Sequence, residues 1–189
     1  MKKIAIIYHS GFGHTEVLAN AVLEGVKSVL NINAKIFKVE DFNKENIAEL
    51  NDFDGMIFGS PTYMGSASAK FKQFMEDSGG IWYQRNWKNK IAAGFTNSAS
   101  QSGDKLNVLV QMAVFAAQHA MLWVGVEDLG GNNSSKGSPD DLNRIGSYLG
   151  LMAQSNNDEG ADKAPRKSDL ETAKRFGARV ATITLKFNQ

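Results

Sequence analysis

The sequence predicts an α/β fold with a doubly wound, five-stranded parallel sheet and helices on both faces. Apolar runs of strand length alternate five times with segments in which apolar residues recur every three or four positions, which is the spacing of a helix. The first run, Ala5 to Ile7, is continuously apolar, as expected of a strand covered on both faces. No repeat or interdomain linker divides the chain, and 189 residues fit one domain.

The elements follow each other in regular order. After the first strand, further runs of strand character lie at Ala34 to Val39, Gly55 to Gly59, Ile91 to Thr96 and Met121 to Val126. Segments with helical spacing cover Thr15 to Leu30, Lys44 to Leu50, Ala67 to Asp77, Lys105 to His119 and Asp169 to Leu185.

One segment, Glu127 to Lys167, breaks this alternation. It is rich in Gly, Asn, Ser and Asp, and it contains one apolar patch, Tyr148 to Met152. A loop of this length inside a compact domain is usually functional or mobile. Disorder is one interpretation, but the apolar patch favours a loop that packs on the rest of the chain. We therefore predict a single domain over residues 1–189 with a long loop insertion at about 127–167.

Composition excludes several classes of function. The net charge of +1 argues against a nucleic-acid surface, and the absence of cysteine excludes disulfides, thiolate catalysis and iron–sulfur sites. His9, His14 and His119 lack the spacing of metal ligands on one element, so we expect no metal site. The apolar run Ile4 to Ile7 is too short for a signal sequence, and no stretch reaches the length of a membrane span. We expect a soluble, cytoplasmic protein.

The turn after the first strand has the composition of an anion site. It consists of Ser10, Gly11, Phe12, Gly13, His14 and Thr15, and the helix that follows directs its unpaired N–H groups towards it. The turn contains no lysine or arginine and matches neither the P-loop nor the dinucleotide fingerprint, which favours a phosphate monoester over a polyphosphate. An ordinary capped turn explains this segment equally well.

Two further turns should meet the first one at the carboxyl edge of the sheet. The turn after the third strand offers apolar and flat surface, and the turn after the fourth strand offers hydroxyl and amide groups. Their candidate binding residues are Pro61, Thr62, Tyr63, Met64 and Gly65 in the former, and Asn97, Ser98, Ala99, Ser100, Gln101, Ser102 and Gly103 in the latter. Together the three turns favour a planar, phosphorylated ligand.

A resemblance to known proteins covers most of the chain and rests on three stretches, YHSGFGHTE, IFGSPTYMGSASAKFKQFMEDSGGIW and AAQHAM. Through them the chain resembles flavodoxin-like FMN proteins, and among them the WrbA-type NAD(P)H:quinone oxidoreductases. It implies strand order 2-1-3-4-5 and FMN held by the three turns. It also implies NADH or NADPH as electron donor, a quinone-like acceptor and a homo-oligomer, either a dimer or a tetramer. By position, the family's catalytic histidine near the flavin corresponds to His119, and its substrate-side tryptophan corresponds to Trp82.

Other interpretations of these residues remain open. His119 ends a helix, where a histidine commonly caps the C-terminus, and Trp82, Tyr83 and Trp87 are equally compatible with a core or subunit contact. Family members usually have a glycine-rich run where this chain has residues 99–102. Three functions are compatible with the sequence: an FMN-dependent NAD(P)H oxidoreductase, a flavodoxin-type electron carrier, and a flavin-binding regulatory protein.

Overall fold

A twisted sheet divides the protein into two layers of helices. The computed structural model describes residues 1–187. Its strands are β1 (Lys2–Tyr8), β2 (Ile32–Lys38), β3 (Gly55–Tyr63), β4 (Ser66–Ala67), β5 (Ile91–Ser98), β6 (Leu122–Trp123) and β7 (Leu151–Gln154). Its α-helices are α1 (His14–Lys27), α2 (Ala69–Asp77), α3 (Gly79–Gln84), α4 (Lys105–Gln118) and α5 (Lys167–Lys186), and two 3₁₀ helices cover Val39–Asp41 and Ile47–Asp52.

The sheet is parallel along the order β2-β1-β3-β5-β6, which confirms the predicted fold class. The predicted number of five strands is wrong. A short strand, β4, pairs antiparallel with the end of β3, and β7 pairs with β5. β6 borders the start of β5 at Ile91, and β7 borders its end from Phe95 onwards. The fifth position of the predicted order is therefore shared by two short strands, with residues 124–150 between them.

The fifth strand was predicted at Met121 to Val126, but β6 ends at Trp123. Beyond it, the N–H of Val126 donates to the carbonyl of Tyr148, and the indole N–H of Trp123 donates to the carbonyl of Leu149 at 2.6 Å. The chain therefore leaves the sheet edge to pair with its own returning segment. The apolar patch at Tyr148 to Met152 supplies β7, and this part of the segment predicted as a loop lies in the sheet.

Two helical segments also differ from the prediction. The segment at Lys44 to Leu50 forms only the 3₁₀ helix Ile47–Asp52, because Asn43 and Asn46 bind the surrounding backbone N–H and C=O groups in a turn. The short helix α3 was not predicted, since its six residues are too few to show helical periodicity. No helix within residues 1–187 is both long and apolar enough to cross a membrane.

The two faces of the sheet bury different side chains. Aliphatic residues such as Leu18 and Val180 fill the space between the sheet and helices α1 and α5. Aromatic residues dominate the other face, where Phe58 of β3 packs against Phe74 of α2 and Phe115 of α4. Because both faces are covered, a ligand can reach the sheet only at its ends.

Candidate functional site

Three predicted loops meet at the carboxyl edge of the sheet and enclose a cavity of about 460 Å³. This size is within the range of small-molecule and cofactor sites. From the predicted loops, the cavity is lined by Phe12, His14, Thr15, Pro61, Thr62, Tyr63, Asn97, Ser98 and Ala99. The convergence inferred from the topology is therefore present, although not every residue of each loop lines the cavity.

The loop after β1 is shaped for an anion. The hydroxyl oxygen of Ser10 accepts hydrogen bonds from the N–H groups of Gly13 at 3.1 Å and Glu16 at 3.2 Å, which folds the loop onto the start of α1. Gly13 has φ of 88°, a conformation that favours glycine. The N–H groups of His14 and Thr15 have no acceptor inside the first helical turn. Ser10 thus stabilises the loop by binding its backbone N–H groups. The buried residue Thr15 lines the cavity itself.

The loop after β3 forms an aromatic wall. Pro61 and Thr62 are buried, and the hydroxyl groups of Thr62 and Thr96 lie 2.8 Å apart, which joins β3 to β5 beneath the cavity. The Tyr63 hydroxyl accepts the N–H of Gly11, and a Cβ at Gly11 would collide with it. Burial raises the pKa of Tyr63, so it stays neutral. Its ring meets Phe12 edge to face at 6.2 Å. This wall joins the first two loops.

Two predicted residues of this loop, Met64 and Gly65, do not line the cavity. Met64 is fully exposed, and both residues have positive φ in the tight turn to β4. They shape the turn and do not border the enclosed space.

The loop after β5 contributes Asn97, Ser98 and Ala99 to the cavity wall. The predicted residues Ser100, Gln101, Ser102 and Gly103 continue the loop beyond the lining. Directly after this loop, the first residue of α4 is a completely buried lysine, Lys105. Its ammonium group lies 2.8 Å from the hydroxyl oxygen of Ser98. Sequence reasoning missed this residue because a lysine at the start of a helix usually points into solvent.

A fourth wall comes from the loop after β7. Ser155, Asn157, Glu159 and Gly160 line the cavity, and none of them was predicted. Ser155 donates to Asn97 at 3.1 Å, and the His14 ring nitrogen lies 2.9 Å from the Glu159 carbonyl. The sequence did contain a signal, because small polar residues follow the apolar patch at Tyr148 to Met152 just as they follow the other strands.

The two residues predicted to be catalytic, His119 and Trp82, lie at the other end of the sheet. α4 starts beside the cavity and ends at the amino edge, where Leu122 pairs with Ile91, the first residue of β5. His119 is buried there; its Nε2 lies 2.9 Å from the Ser78 hydroxyl, and its ring lies 4.4 Å from that of Trp87. Burial lowers the pKa of His119 to about 4. The structure of one chain does not bring these two side chains to the cavity.

Comparison with known proteins agrees with this geometry. Residues 3–127 match the family described as NADPH-dependent FMN reductase. The chain belongs to this family. It is 39% identical over 188 residues to flavodoxin FldP of Pseudomonas aeruginosa, with 97% of each chain covered. It is 31% identical over 207 residues to an NAD(P)H dehydrogenase (quinone) of Archaeoglobus fulgidus, covering 98% of this chain and 99% of that protein.

Solved structures show the same fold. The crystal structure of a flavodoxin, WrbA-like protein from Agrobacterium tumefaciens covers 100% of both chains with a TM-score of 0.76 and 34% identity. A flavodoxin from the domain Archaea covers 97% of this chain and 99% of that one with a TM-score of 0.66, but at 18% identity it supports the fold alone. The resemblance to a WrbA-type, flavodoxin-like FMN protein is thereby confirmed.

The residues present fit FMN, the cofactor of this family. The first turn of α1 with Thr15 offers N–H and hydroxyl donors to a phosphate, and the cavity lining combines the flat ring of Tyr63 with the polar side chain of Asn97. No group of three or more potential metal ligands occurs in the described part of the chain, residues 1–187.

Proposed function

We propose that this protein is an FMN-dependent oxidoreductase that takes a hydride from NADH or NADPH and passes two electrons to a quinone or similar acceptor. The observation that carries this proposal is the shape of the cavity. Its phosphate end is closed by buried Thr15, whereas Phe12 at its rim is 80% exposed beside the half-buried Tyr63. Aromatic surface at an open rim suits the flat rings of a nicotinamide or a quinone.

The chain's own residues bind and orient, and bound FMN supplies the hydride chemistry. Thr15 and the N–H groups at the start of α1 hold the phosphate. Tyr63 and Pro61 border one side of the ring, and Asn97 with the loop that follows it borders the polar side. The hydrogen bond from Ser155 to Asn97 joins the fourth wall to this loop.

We further propose a cytoplasmic homo-oligomer, either a dimer or a tetramer. Trp82 is 43% exposed and Tyr83 is 81% exposed on α3, which is more aromatic surface than a helix of six residues needs for its own packing. A second copy that covers α3 would place Trp82 beside an acceptor over the flavin, which is the role that the resemblance implies. A cytoplasmic location follows from the proposed donor, because nicotinamide cofactors are intracellular. The role of His119 as a proton donor gains no support from its buried position.

A second candidate function is that of a flavodoxin-type electron carrier. It is favoured by the similarity to flavodoxin FldP, which extends over 97% of both chains. The net charge of +1 speaks against it, because carriers of this type commonly dock through an acidic surface. A flavin-binding regulatory role without a substrate is compatible with the same cavity.

Anaerobic stopped-flow mixing of the FMN-loaded protein with NADH and NADPH tests these alternatives. The oxidoreductase should bleach its flavin rapidly with at least one nicotinamide and show ping-pong kinetics with a benzoquinone. Negligible reduction by both nicotinamides, together with a stable one-electron-reduced state in a dithionite titration, would favour the carrier instead.

A further inference from the structure

The loop after β5 has an unusual arrangement of peptide groups. The carbonyls of five consecutive residues all accept hydrogen bonds from donors on the inner side of the loop. Ser155 N–H binds the carbonyl of Ser98 at 3.1 Å, and the Gln154 side chain binds that of Ala99 at 2.9 Å. Lys105 binds the next three: its ammonium donates to Ser100 and Gln101 at 2.8 Å each, and its backbone N–H donates to Ser102 at 3.2 Å.

This arrangement fixes the direction of the intervening N–H groups. In a planar trans peptide the C=O and N–H bonds point in opposite directions. Since the carbonyls of residues 99–101 point inward, the N–H groups of Ser100, Gln101 and Ser102 point outward. Within residues 1–187 none of these three N–H groups donates to another protein atom. The exposed loop therefore presents three successive unpaired donors immediately beyond Ser98 and Ala99, which line the cavity.

Lys105 is central to this arrangement. Its side chain is completely buried, and its three N–H bonds are all used, on Ser98 Oγ, Ser100 O and Gln101 O. The loop closes tightly around this group, since Gly103 has φ of 56° and a Cβ there would collide with Ser98 Oγ. The ammonium group is thus hydrogen-bonded directly to Ser98, a residue of the cavity wall.

We propose that Lys105 is a positioning residue for the flavin: its buried ammonium turns the loop carbonyls inward and so aims the N–H groups of residues 100–102 at the oxygen-bearing edge of the ring. This inference rests on the proposed function, because it assumes that FMN occupies the cavity. Reduction adds electron density to that edge, so outward N–H groups with a cation behind them bind reduced flavin more tightly than oxidised flavin. Lys105 thereby raises the reduction potential of bound FMN.

The titration of Lys105 predicts a pH dependence of FMN binding. Burial lowers the pKa of Lys105 to about 8; Asp169 on α5 opposes this shift, and Arg144 from the segment between β6 and β7 adds to it. Asp169 and Arg144 are themselves joined by a buried ion pair at 2.7 Å. As the pH rises through about 8, Lys105 loses its charge and one of its donors. FMN affinity should therefore fall over that range, and it should stay level in a Lys105→Met variant.

A matched control exists at the opposite end of β5. The Lys90 ammonium also binds two carbonyls, that of Asn51 in the second 3₁₀ helix at 2.8 Å and that of Phe53 just after it at 2.6 Å. It lies at the amino edge of the sheet, away from the cavity. We expect Lys105→Met to raise the FMN dissociation constant by about tenfold or more and to make the flavin potential more negative, since charge-assisted hydrogen bonds are lost. Lys90→Met should leave both values unchanged.

A Lys105→Met protein with wild-type affinity and potential would overturn the proposal, whereas a wild-type protein without FMN affinity would refute the proposed function itself.

A chemical substitution keeps the test decisive if Lys105→Met does not fold. The chain has no cysteine, so Lys105→Cys introduces a unique thiol that can be alkylated in denaturant before refolding with FMN. Treatment with 2-bromoethylamine restores an ammonium at the position of Nζ, whereas 1-bromopropane gives a chain of the same length that ends in a methyl group. Recovery of wild-type potential and visible spectrum by the aminoethyl product alone supports the proposal. Equal potentials in the two folded products would overturn it.

Discussion

The two edges of the sheet use the same residue types for different purposes. At the carboxyl edge, Lys105 organises a loop that leaves N–H groups unpaired beside a cavity. At the amino edge, Lys90 binds carbonyls at the end of the second 3₁₀ helix, and His119 contacts Ser78 and Trp87. The difference is one of position, because in an open parallel sheet the ligand-binding crevice lies at the carboxyl ends of the strands. Residue type alone therefore does not identify the functional side chains.

Substitution of Trp87 is the most severe test of whether the two edges of the sheet act independently. This side chain is completely buried at the amino edge and lies against Phe74, Phe115 and His119. Trp87→Ala should lower the free energy of unfolding by about 3–5 kcal/mol. The FMN dissociation constant, measured by flavin fluorescence at a temperature where the variant is folded, should not change. A loss of FMN affinity in a folded variant would show that the two edges are coupled.

His119 should make the amino edge sensitive to acid. Its folded-state pKa of about 4 is below the unfolded value of 6.5, so the unfolded chain binds more protons in this range. Stability is therefore complete above pH 6.5 and is lost as the pH falls towards 4, by up to about 3 kcal/mol.

The measurement is urea unfolding of the FMN-free protein between pH 7 and pH 4. His119→Gln retains a donor for the Ser78 hydroxyl but cannot titrate, so its stability should depend less on pH. His9, whose pKa burial also lowers, remains in both proteins and contributes equally to both curves. Identical pH dependence in the two proteins would contradict the assignment.

Threonines provide a milder test of the same contrast. Thr15 lines the cavity at the carboxyl edge, whereas buried Thr184 on α5 donates to the Val180 carbonyl and lies beside Gly55 at the start of β3. Thr15→Val should weaken FMN binding by about 1.5–3 kcal/mol, the value of a hydrogen bond to a charged group. Thr184→Val should leave FMN binding unchanged. Titration of both apoproteins with FMN distinguishes them, and equal affinities would remove Thr15 from the phosphate site.

The sequence predicted the fold and three walls of the site from local signals. The apolar run at Ala5 to Ile7 and the turn residues after it are such signals, because strand and turn chemistry depend on neighbouring residues. The fourth wall, which includes Ser155 and Glu159, was missed because it follows a strand that only tertiary pairing with β5 reveals. The buried position of Lys105 likewise depends on carbonyls of a loop whose conformation no periodicity encodes.

Substitution of the two aromatic residues of α3, Trp82 and Tyr83, should have the smallest effect on the stability of the single chain. From the sequence, Trp82, Tyr83 and Trp87 are equally compatible with a core or a subunit contact. The structure buries Trp87 within its own chain, so Trp82 and Tyr83 are the two of these residues that remain available for a partner. A variant that removes Trp87 would confuse loss of fold with loss of assembly. The combined Trp82→Ala and Tyr83→Ala variant should change the stability of the monomer by no more than about 0.5 kcal/mol, as substitutions of exposed residues usually do.

Light scattering at micromolar concentration should show loss of the oligomer, and quinone turnover should fall in parallel while FMN stays bound. A variant that is fully active as a monomer would show that each chain completes its own acceptor site, and that the amino edge of one copy does not serve the carboxyl edge of another.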